Sequence, residues 1–177
     1  ILDLDPKQAP FTDVVKVARH IHSLLRELGA PHYVKTSGQD GLHVLLPLDG
    51  RLDHRDTRSL AEVLARVVCA DLPEIATITR PVSARGDKVY VDYLQNGHGK
   101  LIAGPFSVRP RAAAPVSMPL AWTQVTSRLD PTRYTIRTAL RRIEQRGDPL
   151  RGVLEDPIDV ELVLEALAER LTRSVAS

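Results

Sequence analysis

An α+β fold is predicted, built as a small, mostly antiparallel sheet with flanking helices packed on one face. Two observations carry it. Short runs of alternating apolar and polar residues follow longer runs of helical period along the chain, and the strand-like runs are joined by turns short enough for antiparallel neighbours. A length of 177 residues suits one domain, and a composition 43% hydrophobic and 26% charged can furnish a packed core.

Residues 1–5 read as a strand stopped by Pro6. Thr12 is the expected N-cap of a first helix whose inner face carries Val14, Ala18, Ile21, Leu25 and Leu28, with Gly29 as its stop. Residues 31–36 and 42–46 form two strands around the turn Ser37-Gly-Gln-Asp-Gly41. A second helix over roughly 56–70 aligns Leu60, Val63, Leu64 and Val67, with Cys69 as a small buried hydrophobe near its end. Two more strands are expected near 88–94 and 100–108, joined by Asn96-Gly97-His98-Gly99. Pro110, Pro115 and Pro119 make 110–121 an extended surface connector. A basic helix over 135–145 carries Arg137, Arg141 and Arg142 and ends at Gly147. A last helix over 158–172 aligns Val160, Val163, Leu164 and Leu167. Tyr33, Tyr90, Tyr93 and Trp122 read as core residues, and the basic helix, whose arginines could touch a DNA backbone, reads first as a solvated face.

Several classes of protein are excluded. No apolar run nears the ~20 residues that span a membrane, and the opening residues lack the regions of a signal peptide. A lone Cys69 leaves neither a disulfide framework nor a multi-cysteine zinc site, as expected in a reducing cytoplasm. The chain opens on Ile1 and not Met, so it is expected to be a piece of something longer. Net charge is only +2, but nineteen arginines stand against five lysines. The guanidinium fork suits phosphate, although GC-rich coding produces the same bias.

Chemistry concentrates in three places. Asp3 and Asp5, one residue apart on a strand, project from the same face. By itself such a pair also describes a solvated turn. Asp92 is a third acid, set in the apolar strand Lys88-Val-Tyr-Val-Asp92, where burial is costly unless the carboxylate is paired or coordinated. Three carboxylates on one sheet face suit Mg²⁺ or Mn²⁺ and two-metal phosphoryl transfer. The stretch from Lys35 to His43 holds two glycines that permit close backbone approach, with Ser37 and His43 bracketing the turn as possible donors to a triphosphate. The same stretch also reads as a plain glycine-rich hairpin.

Five segments, Asp3-Leu-Asp-Pro6, Lys35-Thr-Ser-Gly38 with Gly41-Leu-His-Val44, Asp92-Tyr-Leu-Gln-Asn96, Gly104-Pro-Phe-Ser-Val-Arg109 and Pro115-Val-Ser-Met-Pro-Leu120, occur in order. Together they resemble the polymerase domain of bacterial DNA ligase D, of the archaeo-eukaryotic primase superfamily. The resemblance covers almost all of residues 1–177, and these correspond to the C-terminal, catalytic part of that domain, so the family's preceding region is expected to be absent. It implies a primase-type catalytic core and a template-directed nucleotidyltransferase that adds nucleotides, preferentially ribonucleotides, at DNA ends or gaps in non-homologous end joining. It implies Mn²⁺ or Mg²⁺ as cofactor, nucleoside triphosphates as substrates, Ku and a DNA ligase module as partners, and a bacterial, nucleoid-associated location. By resemblance, Asp3, Asp5 and Asp92 are the catalytic metal ligands. Ser37 and His43 are the triphosphate pair, and Lys35, Arg85, Lys100 and Arg109 are basic nucleotide-binding positions. The sequence departs from the pattern at His98 and Leu101, where the family commonly has an Arg and a Thr, and at Leu150, where a Trp is usual.

Two other readings compete. One is a non-catalytic DNA-end binding remnant of such a polymerase. The other is a metal-dependent phosphatase, which fits the acids but not the Ser37-to-His43 turn. A strand that begins two residues before Asp3 is also expected to fray, leaving the piece weak in metal and triphosphate binding.

Overall fold

The computed structural model describes residues 1–175 and has the predicted α+β architecture. Six strands form one sheet: β1 (Leu2–Asp5), β2 (Tyr33–Thr36), β3 (Leu42–Leu45), β4 (Ala76–Thr77), β5 (Val89–Asp92) and β6 (Pro119–Leu120). Their spatial order is β4-β5-β1-β3-β2-β6, antiparallel throughout except for the β4–β5 pair. Helices α1 (Phe11–Glu27) and α2 (His54–Asp71) pack on one face, while α3 (Ile136–Arg146) and α4 (Val160–Val175) follow the sheet.

Strand alternation explains the two faces. Leu2, Leu4, Val34, Leu42, Val44, Val89 and Val91 are fully buried in the apolar core with Val14, Ala18, Ile21 and Leu25 of α1 and Leu64 and Val68 of α2. The intervening residues of the same strands, Asp3, Asp5, Lys35, His43, Tyr90 and Asp92, therefore share the opposite face. β1 is paired on both sides, and Asn96 Nδ2 donates to the carbonyl of Ile1, contacts that tie the strand expected to fray into the sheet.

Other expectations need correction. α1 begins one residue before Thr12, with Pro10 as its N-cap, because Pro at the flank supplies the needed extended φ. α2 is capped by Asp53, whose carboxylate accepts from the backbone N–H groups of Arg55 and Asp56, two residues earlier than the periodicity indicated. Val63 and Leu164 stay about two-fifths exposed although they sit in helical period with buried neighbours. Residues 100–108 form no strand. Phe106 takes a φ of +62° and only Val108 bridges to Val116, so 104–117 is a hairpin-like strap. Residues 110–121 are not a surface connector throughout, since Val116, Ser117, Met118 and Leu120 are buried and 119–120 is the edge strand β6. Pro119 is tolerated there because an edge strand needs donors on one side only.

Cys69 and Trp122 are only partly buried, and burial raises the Cys69 thiol pKa to about 11, which leaves it unreactive near neutrality. Trp122 stacks on His22 and donates from Nε1 to the carbonyl of His32. No helix among the described residues is long and apolar enough to cross a membrane.

Candidate active site

Strand register assembles the site. Asp3 of β1 lies directly opposite His43 of β3 on one side and Asp92 of β5 on the other, and His43 in turn lies opposite Lys35 of β2. One ladder row therefore reads Lys35, His43, Asp3, Asp92 across four strands. Asp5, two residues along β1, faces Tyr90 in the next row on the same face.

Beneath this row is a buried polar chain. Lys35 is 1% exposed, and its ammonium donates to the Ala103 carbonyl (2.8 Å), to Ser117 Oγ (2.7 Å) and to His43 Nδ1 (2.7 Å). An ammonium cannot accept, so Nδ1 is the accepting nitrogen and Nε2 carries the hydrogen. That Nε2 lies 3.3 Å from Asp3 Oδ1 and donates to it. Burial lowers the Lys35 pKa to about 8 against the pull of Asp3, and burial also lowers the His43 pKa although its bond to Asp3 opposes the shift.

The other two acids have their own partners. Asp5 Oδ2 accepts from Arg85 Nη1 at 3.3 Å. Arg85 is otherwise fixed by the carbonyls of Thr79 and Arg80 and by the ring of Tyr90, 3.7 Å below its guanidinium carbon. Asp92 accepts from the Leu94 N–H and from Gln95 Nε2. Among the described residues no three acid, His or Cys side chains converge into a ready-made cation cage. The donor set still fits a hard divalent cation in kind, because three carboxylates share one face and open on one cleft.

That cleft, about 550 Å³, is lined by Asp3, Asp5, Asp92, Ser37, His43 and Arg109. The turn between β2 and β3 forms one wall. Ser37 Oγ accepts from the backbone N–H groups of Gln39 and Gly41, both at 3.1 Å, leaving its hydroxyl hydrogen free. Gly41 is required by packing: a methyl group there would come within 2.2 Å of the Leu4 carbonyl oxygen. Gly38 has φ +78° and lies against the Arg109 stem, which a methyl group would meet at 2.6 Å. Arg109 Nη2 donates to Gln39 Oε1 at 2.9 Å, and its Nε is buried without a partner.

Three basic positions fall outside the cleft lining. Lys35 lies under the site and supports His43. Arg85 stands behind Asp5. Lys100 is exposed on the loop after Gly97, because the strand expected to present it does not form. Sequence reasoning passed over Gln39, Asp40, Gln95, Lys7 and Arg111, which also line the cleft. Gln39 and Asp40 lie inside the turn already singled out, and Gln95 follows Asp92 by one turn, so proximity to the motifs was the available signal. Ser117 lies inside the motif at 115–120, which carried no assigned role, and nothing in the pattern pointed to Arg111.

Residues 1–150 match the family model of the LigD primase-polymerase domain. The bifunctional non-homologous end joining protein LigD of Bacillus subtilis is 34% identical over 164 residues, 92% of this chain and 27% of that protein. The multifunctional non-homologous end joining DNA repair protein LigD of Mycobacterium tuberculosis is 32% identical over 176 residues, 98% of this chain and 22% of that protein. The chain thus spans only about a quarter of the length of these relatives. Among solved structures, the polymerase domain from Mycobacterium tuberculosis ligase D in complex with DNA superposes with a TM-score of 0.80 at 32% identity, covering 88% of this chain and 55% of that one. Family model, relatives and fold agree, and the chain belongs to the LigD primase-polymerase domain family.

Proposed function

We propose that this chain is the catalytic part of a template-directed nucleotidyltransferase that adds nucleotides, preferentially ribonucleotides, to DNA ends or gaps during non-homologous end joining. The observation that carries the reading is the cross-strand pairing of Asp3 with Asp92, with Asp5 on the same face, at the floor of a cleft walled by Ser37 and Arg109. A DNA-bound relative of the same fold supports DNA as the macromolecular substrate. Nucleoside triphosphates, Ku and a DNA ligase module complete the proposed set of partners.

Asp3, Asp5 and Asp92 would hold Mn²⁺ or Mg²⁺, which when bound supplies the positive charge that activates a 3′ hydroxyl and neutralises a triphosphate. The chain's own groups do the rest. Arg109 and the free hydroxyl hydrogen of Ser37 offer donors to phosphate oxygens along the turn wall. His43, with both ring nitrogens engaged, orients Asp3 in place of donating to a nucleotide. Arg85 and Gln95 hold Asp5 and Asp92 until those carboxylates exchange partners.

The test is Mn²⁺-dependent primer extension with ribo- and deoxyribonucleoside triphosphates by the unaltered chain and by Asp92→Asn, with thermal melting of both. Extension lost in the variant, with melting preserved, supports the reading. Equal extension by both forms overturns it, and an unaltered chain that binds DNA ends but extends nothing is the non-catalytic remnant.

A further inference from the structure

The basic helix that the sequence left as a solvated face does not stand alone. Its residues Thr138, Arg141, Arg142, Gln145 and Arg146 follow one helical stripe, and the segment 124–134 folds alongside them. Between them lies a groove of about 390 Å³ that also takes in Arg128 and Arg133. Arg137, singled out by sequence, is not part of it.

Five guanidinium groups thus share one groove with a single carboxylate, Asp130, which is engaged by Thr132. Among the described residues none of the five has a carboxylate within ion-pairing distance. Arg142 is held over the Tyr134 ring at 4.7 Å, so its fork is ordered without being neutralised. Like charges gathered this way repel, and a polyanion relieves the repulsion.

The geometry points to a second nucleic-acid contact: the groove formed by α3 and the segment before it grips the phosphate backbone of the DNA on which the acidic cleft acts. This rests on the reading of the cleft as a nucleotidyltransferase site. The apolar groups of the groove, Leu129 and Tyr134, are buried in its floor, so it offers no exposed anchor for a protein partner. Its accessible donors are arginine forks, which match phosphate oxygens and need no base-specific contact.

The test is the affinity of a fluorescein-labelled blunt DNA duplex across a potassium chloride series, read by anisotropy. The chain is compared with Arg133→Gln/Arg141→Gln, both sites exposed, and with Arg55→Gln/Arg58→Gln on the exposed side of α2 as a control for net charge. Each lost phosphate contact flattens the log–log salt dependence by roughly one unit, so the groove variant should lose about two and the control none. Unchanged slope in the groove variant overturns the inference. So does a variant that loses binding to labelled poly-glutamate and keeps its DNA slope, which would make the groove a docking site for acidic protein. Primer extension separates the two proposals. A chain that extends primers while groove variants keep the slope refutes the groove alone, and a groove-dependent slope without extension refutes the polymerase reading alone.

Discussion

Lys35 Nζ lies 2.7 Å from His43 Nδ1, and this single contact decides which ring nitrogen faces Asp3. A buried cation two strands away from the acids therefore sets their electrostatic environment without reaching the cleft. Lys35→Met keeps the stem and removes the charge. It should leave the fold cooperative, cost about 1–3 kcal/mol through the unpaired acceptors at Ala103 and His43, and weaken Mn²⁺ binding. Urea unfolding and Mn²⁺ titration check both, and unchanged Mn²⁺ affinity would mean that His43 holds Asp3 unaided.

The same ammonium gives a pH signature. Its folded pKa of about 8 lies below the ordinary 10.5, so between those values the unfolded chain binds more protons than the folded one. Stability from this group therefore rises with pH across that window, by at most about 1.4 kcal/mol per unit. Cys69 and Tyr90, raised to about 11 and about 12, pull the other way at higher pH. The quantity to measure is the stability of the unaltered chain minus that of Lys35→Met from pH 7 to 10. A flat difference would place the ammonium in contact with water.

Arg85 should separate stability from cation binding. Arg85→Ala removes the stack on Tyr90 and leaves the carbonyls of Thr79 and Arg80 short of a donor, which should lower stability by about 1–3 kcal/mol. It also frees Asp5, so Mn²⁺ affinity should rise a few-fold. Arg85→Lys should restore little, because one ammonium cannot reproduce the fork and the stack together. Weaker Mn²⁺ binding by the alanine variant would show Arg85 holding Asp5 in its binding position.

The two glycines of the turn should fail differently. Gly41→Ala forces a methyl group against the Leu4 carbonyl and should lower the melting temperature sharply, by the ~1–3 kcal/mol of an overpacked contact or more. Gly38→Ala meets the flexible Arg109 stem, so besides the strain of its φ it should displace Arg109 and weaken triphosphate binding. Gly29→Ala, with open space around it and φ +67°, should show the backbone cost alone, about 1–2 kcal/mol. Melting curves and triphosphate titration of the three variants order these effects.

Much of the molecule is legible in the chain because its signals are local. Alternation in β1 and β5, helical period in α1 and α2, and the stops at Gly29 and Gly147 depend on residues within a few positions of one another. β4 and β6 were not legible, since two-residue strands carry no period and exist only where a partner's backbone offers hydrogen bonds. The strand expected at 100–108 failed for the converse reason: only its end pairs, through Val108 with Val116, while Leu101 and Ile102 have no strand partner and stay exposed at the cleft rim.

The site divides the same way. That Asp3, Asp5, Asp92, Ser37, His43 and Arg109 are the candidate residues was legible in the sequence, through residue type, spacing and resemblance, and the fold brings all six to one cleft. What Lys35, Arg85 and Lys100 do was decided only by the tertiary structure. Strand register placed Lys35 opposite His43 and buried it, a 3-10 turn and the Tyr90 ring turned Arg85 toward Asp5, and an unformed strand left Lys100 on a loop. A basic residue reads alike in sequence whether it meets solvent, substrate or another side chain. Which of these it meets depends on contacts between residues far apart in the chain, and only the folded sheet brings those together.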